Sequence, residues 1–506
     1  MSQEQGEGRR LAAGSLAQQA SQVTGLLTLL AIITVLAREL SLAELGVYGL
    51  LTSLLGYLLI VQNAAAGAAV RTIAASTGPA RGRAFSSAVA LYAAAGLATG
   101  ALLLVAGFAI CPALGLEGEL ARDVRLGGAL LAAVTVVGWP LSAYRDVLRA
   151  EGLFVRAAAT EMVALVAYAV LVLGLALGGA RLAFVIGASA AIPLLVGVGC
   201  LMNSRGLGYR FRRGDVNAES IREQLGLAGY VSLTEVAAAG IYAADRVILG
   251  VFTSAGTVAL FEGPVRAHNL VRSLNSAVTV TVLPTATGYF QQGDARRLRE
   301  LLVRGIRYTL ALIVPLAVVG MVLAGPLLDV WLGDSFREGG AAMAILMGHW
   351  LVNGTSGVLG AILVATGRAR ALATYAGLLA AANIALALAL APGLELEGVA
   401  IATTAPYVVL FPLLLRRTLD AVPVPLSELV GRAFAPALVM GALLAAAVGG
   451  ARVALSPDSV VSVAALALGG LAAYWAAYYV LVMDHAERAL VRGLVAPVSF
   501  RASKRP

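Results

Sequence analysis

Phe85-Ser-Ser-Ala-Val-Ala-Leu-Tyr-Ala-Ala-Ala-Gly-Leu-Ala-Thr-Gly-Ala-Leu-Leu-Leu-Val-Ala-Gly-Phe-Ala-Ile-Cys111 carries no charged side chain. A helix rises about 1.5 Å per residue, so about 20 apolar residues cross the roughly 30 Å hydrocarbon core of a bilayer. This stretch exceeds that length, and its alanines and glycines suit helices that pack closely in lipid. Runs of the same kind recur from end to end of the 506 residues. The chain is 59% hydrophobic and only 13% charged, against about 45–50% and about 25% in soluble domains. Its mean hydropathy is +0.87, and no segment reads as a separate soluble domain.

About fourteen runs have spanning length. The first six cover residues 12–36, 47–70, 85–112, 127–148, 157–178 and 182–202. The other eight cover 225–251, 257–288, 308–331, 340–366, 371–391, 398–416, 433–452 and 459–483. The expected fold class is therefore an all-α integral membrane protein, its helices arranged in two bundles around a central cavity. Residues 1–202 form the first bundle and 203–224 a cytoplasmic linker. Residues 225–416 form the second bundle, and 417–506 add two spans and a cytoplasmic tail.

The net charge of +9 does not indicate nucleic acid, because the basic residues form neither one patch nor an RNA-binding motif. They sit in short clusters between apolar spans, as topology signals do. With both termini in the cytoplasm, Arg81, Arg83, Arg205, Arg210, Arg212, Arg213, Arg296, Arg297, Arg299, Arg416 and Arg417 all fall on the cytoplasmic side. The external turns are poorer in bases: Pro392–Glu397 carries only acids. The polar N-terminus leads straight into a long span, so it reads as retained rather than as a cleaved signal. Cys111 and Cys200 have no metal or redox spacing and are expected as small buried hydrophobes on opposite sides of the membrane. No run ending in Gly-Lys-Ser/Thr is present, which argues against ATP hydrolysis by this chain, and no cofactor is expected.

A charge at the centre of a membrane helix costs about 2.5–3.5 kcal/mol even on the lenient insertion scale, so such residues face protein or water. Here they gather on two adjacent spans. On the eighth, Glu262, Arg266, Asn269, Ser273, Ser276 and Thr287 share one helical face, with Arg272 at its edge. On the seventh, Glu235, Tyr242 and Arg246 share a face, with Asp245 beside them. The first span offers Gly14, Ser15, Gln18, Ser21, Gln22 and Gly25, and the second Tyr48, Thr52, Gln62 and Asn63. Each has a structural reading: Glu262 and Arg266, four residues apart, can simply pair, and the first-span stripe can simply pack. Glu161 and His268 read as structural. The functional reading is a polar cavity whose substrate-binding candidates are Arg246, Arg266, Arg272, Asn269, Glu262, Glu235, Tyr242, Gln18, Gln22, Gln62 and Asn63. Guanidinium groups there suit a diphosphate, since a planar fork engages two oxygens at once.

Ala37-Arg-Glu-Leu-Ser-Leu-Ala-Glu-Leu-Gly-Val-Tyr48 follows the first span, and Asp245-Arg-Val-Ile-Leu-Gly250 closes the seventh. Leu283-Pro284, Gly293-Asp294, Trp331-Leu-Gly-Asp334, Ala365-Thr-Gly-Arg368 and Leu396-Glu-Gly-Val-Ala400 come after them in order. In these strings and their placement against the spans, the chain resembles the polysaccharide (O-antigen type) flippases of the multidrug/oligosaccharidyl-lipid/polysaccharide exporter superfamily over most of its length. It departs from them at Ala259-Leu-Phe261, where the family usually has a Gly-Tyr pair. The resemblance implies a carrier of the cytoplasmic membrane that moves an isoprenoid-diphosphate-linked oligosaccharide to the outer leaflet by alternating access. It implies a monomer in membrane lipid, functionally coupled to glycosyltransferases and a polymerase, with no nucleic-acid partner. Two alternatives stand beside it: a cation-coupled multidrug exporter of the same superfamily, and a membrane glycosyltransferase or polymerase. External loops of about 15 residues or fewer leave the latter little room for a catalytic lid.

Overall fold

The computed structural model describes residues 2–226, 245–279, 281–485, 487–489 and 492. The described residues are helical, with no β-strand among them. Helices α1 (Ser2–Glu39), α2 (Leu42–Ala75), α3 (Pro79–Ala113) and α4 (Gly118–Leu141) come first. The short α5 (Ala143–Ala150), then α6 (Phe154–Leu177), α7 (Leu182–Ala188) and α8 (Ala191–Asn203) follow. Ser41 shows how the sequence sets these boundaries. Its hydroxyl accepts from the Glu44 amide (3.3 Å), and the Glu44 carboxylate accepts from the Ser41 amide (2.9 Å). That reciprocal cap satisfies two orphan donors and starts α2 after a turn of only two residues.

Among the described residues, ten helices, or eleven with the bent pair α7–α8, are long and apolar enough to cross a membrane by length and composition. The difference from fourteen has three locations. The eleventh and twelfth spans are two helices that run together over Ala369–Leu419 and are parted by a kink at Glu395 (φ 41°, ψ −115°) in an acidic turn. The eighth span, helix Ala255–Thr279, is too rich in charge to score as apolar. Most of the seventh, with the candidates Glu235 and Tyr242, lies outside the described residues.

The chain forms two compact units. The first comprises residues 1–270, 331–346 and 373–410. Within it α3 packs on α4, α1 on α6, and α4 on α7 and α8. Closeness there depends on missing side chains: a Cβ on Gly128 would lie 2.8 Å from the Gly107 Cα. Trp331 Nε1 donates to Thr34 Oγ1 at 2.7 Å, bringing the Trp331-Leu-Gly-Asp334 string against α1. The linker after α8 is strapped down rather than loose. The Asn217 amide donates to Ser87 Oγ (3.0 Å), Gln224 Nε2 donates to the Ala84 carbonyl (3.0 Å), and Tyr209 stacks edgewise on Phe85. The Tyr209 hydroxyl donates to Glu151 Oε1 at 2.6 Å. Burial, reinforced by that carboxylate, pushes the Tyr209 phenol well above its ordinary range.

The second unit comprises residues 271–330, 347–372 and 411–506. Helix Ala295–Val322 is its centre and packs against Ala435–Leu455 and Val460–Leu481. Arg307 Nη2 ties the tail down through the Val482 carbonyl (2.7 Å) and Glu487 Oε2 (2.9 Å). Arg452 bonds the Val322 carbonyl, and Arg299 pairs with Glu428. Cys111 and Cys200 are both buried and are not joined.

Candidate substrate site

The centre of the site is Glu262, a carboxylate with no solvent exposure. Its Oε1 lies 2.9 Å from Arg246 Nε, and its Oε2 lies 3.2 Å from Arg266 Nε. Arg246 also donates through Nη1 to Ser53 Oγ of α2 at 2.5 Å. The pairing of Glu262 with Arg266 is the i,i+4 contact that helical spacing suggests. The contacts of Arg246 come from tertiary packing: its partners are 16 residues ahead and 193 residues behind.

Two glycines of α2 make this approach possible. A Cβ on Gly46 would stand 1.7 Å from the Ala255 carbonyl oxygen, and one on Gly49 would stand 2.7 Å from Glu262 Oε1. The bare face of α2 therefore rests directly on the start of helix Ala255–Thr279. Tyr48, between those glycines, is buried beside Ser189 and Tyr168. An ion cluster removed from water gains only if its geometry offsets the desolvation cost. Among the described residues the cluster is compact but not neutral by itself: two guanidinium groups share one carboxylate.

The next acid in the chain points elsewhere. Asp245 Oδ2 accepts from Thr403 Oγ1 at 2.5 Å, and its Oδ1 accepts from Asn383 Nδ2 at 3.3 Å. All three residues are buried, and among the described residues Asn383 Oδ1 has no hydrogen-bond partner. A buried carboxylate that meets only neutral donors among the described residues, a hydroxyl and an amide Nδ2, is a group that a proton or a cation can neutralise. In the sequence Asp245 stands beside Arg246 and heads the Asp245-Arg-Val-Ile-Leu-Gly250 string, and neither position marks it as a site residue. Nothing in the pattern marked Asn383 and Thr403, ordinary polar residues more than a hundred positions away.

The remaining candidates are dispersed. Asn269 is half-buried in the first unit, and Arg272 is half-buried in the second, which the same helix enters at Val271. Gln62 is buried and donates to Ser142 Oγ at 2.9 Å, whereas Asn63 is exposed. On α1, Gln18 is half-buried and Gln22 exposed, while Ser21 turns inward to Glu161 at 3.3 Å. Thr287 falls on a separate helix, Val282–Gln291, so the polar face of the eighth span does not continue to it on one helix. Glu161 pairs with Arg149 at 2.6 Å, and His268 Nδ1 meets the Leu346 carbonyl at 3.2 Å, packed roles for both.

Residues 35–339 match the model of a family described as polysaccharide biosynthesis protein. The chain belongs to that family. A curated relative, the uncharacterized membrane protein EpsK of Bacillus subtilis (strain 168), is 26% identical over 183 residues, 36% of each chain. The matched region thus spans about a third of that relative. Among solved structures, a lipid II flippase, MurJ, in an inward closed conformation is similar with a TM-score of 0.71 and 15% identity. The match covers 95% of this chain and 99% of that one. An inward-facing multidrug resistance transporter of the MATE family and MOP superfamily gives 0.67 at 13% identity, covering 78% and 95%. The likeness establishes the fold, an all-α architecture of many membrane-spanning helices shared with those proteins.

Proposed function

We propose that this chain is a flippase that carries an isoprenoid-diphosphate-linked oligosaccharide from the cytoplasmic to the outer leaflet for cell-surface polysaccharide assembly. The observation that supports it best is the convergence of Arg246 and Arg266 on one buried point within a family devoted to polysaccharide biosynthesis. Guanidinium groups grip phosphate through paired, charge-assisted hydrogen bonds. Arg272, Asn269, Gln18, Gln22, Gln62 and Asn63 would line the path, together with Glu235 and Tyr242. The six spans up to residue 202 would move with their strapped linker as one body, residues 225–416 as the other, with the two further spans and tail of 417–506 beside it. Both termini lie in the cytoplasm on this reading, the membrane is the cytoplasmic one, and the carrier acts as a monomer beside glycosyltransferases and a polymerase. That a lipid II flippase has the same fold is in keeping with a lipid-linked substrate.

The test is flipping of a fluorescent isoprenoid-diphosphate sugar in vesicles. Arg266→Ala and Arg272→Ala should abolish it while the protein still inserts, and undiminished flipping in both would overturn the assignment. A second reading, cation-coupled export, is favoured by the Asp245–Asn383–Thr403 cluster. Drug resistance on overexpression without change in surface polysaccharide would favour it alone. The cluster also suits ion coupling of the flippase itself.

A further inference from the structure

The geometry points to Glu262 as an internal stand-in for the transported anion, which sets selectivity by holding Arg246 and Arg266 until a ligand of higher charge displaces it. This rests on the reading of those arginines as the substrate site. Three observations carry it. First, among the described residues the stoichiometry is uneven: two bases converge on one acid, and Asp245, the next described acid, is committed to Thr403 and Asn383. Second, the carboxylate is a poor match. Each arginine approaches it through Nε, at a different oxygen, and Arg246 Nε and Glu262 Oε1 stand 2.9 Å apart without the geometry of a hydrogen bond, far from the paired bonds of a matched fork. A diphosphate, with more oxygens and more charge, can engage both forks. A monophosphate gains less over the carboxylate it must replace. Third, the contact is part of the packing of α2. Arg246 reaches Ser53, and the bare Gly49 face lies against Glu262, so exchanging the carboxylate for a ligand releases α2 from helix Ala255–Thr279. A ligand too weak to displace Glu262 would leave the helices joined and would not be carried.

The experiment uses the full chain in lipid nanodiscs, with geranylgeranyl diphosphate and geranylgeranyl monophosphate as probes of binding. The wild type should prefer the diphosphate by about tenfold or more. Glu262→Gln should bind both probes more tightly, with the monophosphate gaining about tenfold and the preference narrowing. Glu262→Asp, which keeps the charge, should keep the wild-type preference. A Gln variant with unchanged selectivity, or with weaker binding of both probes, overturns the role of Glu262. If Glu262→Gln does not fold alone, its yield on solubilisation with and without the diphosphate takes the place of titration. Recovery by the diphosphate but not by the monophosphate supports the stand-in, and equal loss overturns it. Arg246→Ala and Arg266→Ala separate the two levels. If both bind the diphosphate as the wild type does, the site reading fails; if they lose it while Glu262→Gln keeps its selectivity, only the stand-in fails.

Discussion

Two buried ion clusters among the described residues of the first unit differ in how their charges are matched. In one, Asp146 is fully buried, takes a 2.5 Å hydrogen bond from the Tyr92 hydroxyl and lies 3.4 Å from Arg145 Nε. Its neighbour Glu161 pairs with Arg149 and accepts from Ser21. Every acid has its own base and a neutral donor besides. In the other, Arg246 and Arg266 divide one carboxylate between them. Matched charge is what a fold needs to bury ions at tolerable cost. Unmatched charge costs more than a fold requires, and it persists where a ligand completes it. Burial and intramembrane position do not distinguish the two clusters, but their stoichiometry does.

Arg266→Ala removes up to two charge-assisted hydrogen bonds to a diphosphate, each worth about 1.5–3 kcal/mol, so flipping should fall by about 100-fold or more with little change in the amount inserted. An equal loss of flipping and of folded protein would place the triad with the structural cluster. Asp146→Ala is the converse: it strands Arg145 in a buried site and should destabilise the fold by about 3–5 kcal/mol, read as a lowered Tm. Any transport that remains should track the surviving folded fraction, and selective loss of transport would make that cluster functional too.

Smaller effects sharpen the contrast. Gly49→Ala forces a methyl group against Glu262 and should cost about 1–3 kcal/mol by overpacking, with slower flipping. Restoration by Glu262→Asp, which retracts the carboxylate, would show that the clash itself is responsible. Asp245→Asn keeps the shape of its cluster but removes the charge, and it should flatten the dependence of flipping on cation concentration while leaving diphosphate binding in place. The smallest effect belongs to the linker. Tyr209→Phe should lose about 0.5–1.5 kcal/mol with its hydrogen bond to Glu151. Because the folded phenol titrates above its ordinary value near 10, its share of stability is complete below that pH and declines as pH rises further. Thermal melts in alkaline buffer should show that decline in the wild type and a shallower one in the Phe variant.

Much of this architecture was legible in the chain because the bilayer imposes a length and a polarity that sequence records directly. The spans from Pro79–Ala113 to Phe154–Leu177 appear as helices of spanning length and composition. Helix Ala255–Thr279 was legible for a different reason: a 100° periodicity placed Glu262 beneath Arg266 before any tertiary contact was known. Ser53, Asn383 and Thr403 were not legible, because a serine, an asparagine and a threonine in apolar helices are individually ordinary. The interruption at Glu395 was equally hidden: composition showed an acidic turn, while the positive φ that parts the two halves is a property of the folded backbone.

By itself, then, the sequence determined that this is a membrane protein of many helices, which residues carry charge into the bilayer, and which of them share a helical face. These are one-dimensional quantities: length, hydropathy and periodicity. Only the tertiary structure decided that Arg246 and Arg266 meet at Glu262, that Gly46 and Gly49 let α2 approach that point, and that Asp245 turns away from its own neighbour toward Asn383 and Thr403. The reason is physical: which acid answers which base depends on distances of about 3 Å between residues far apart in the chain, and no local pattern encodes such a distance.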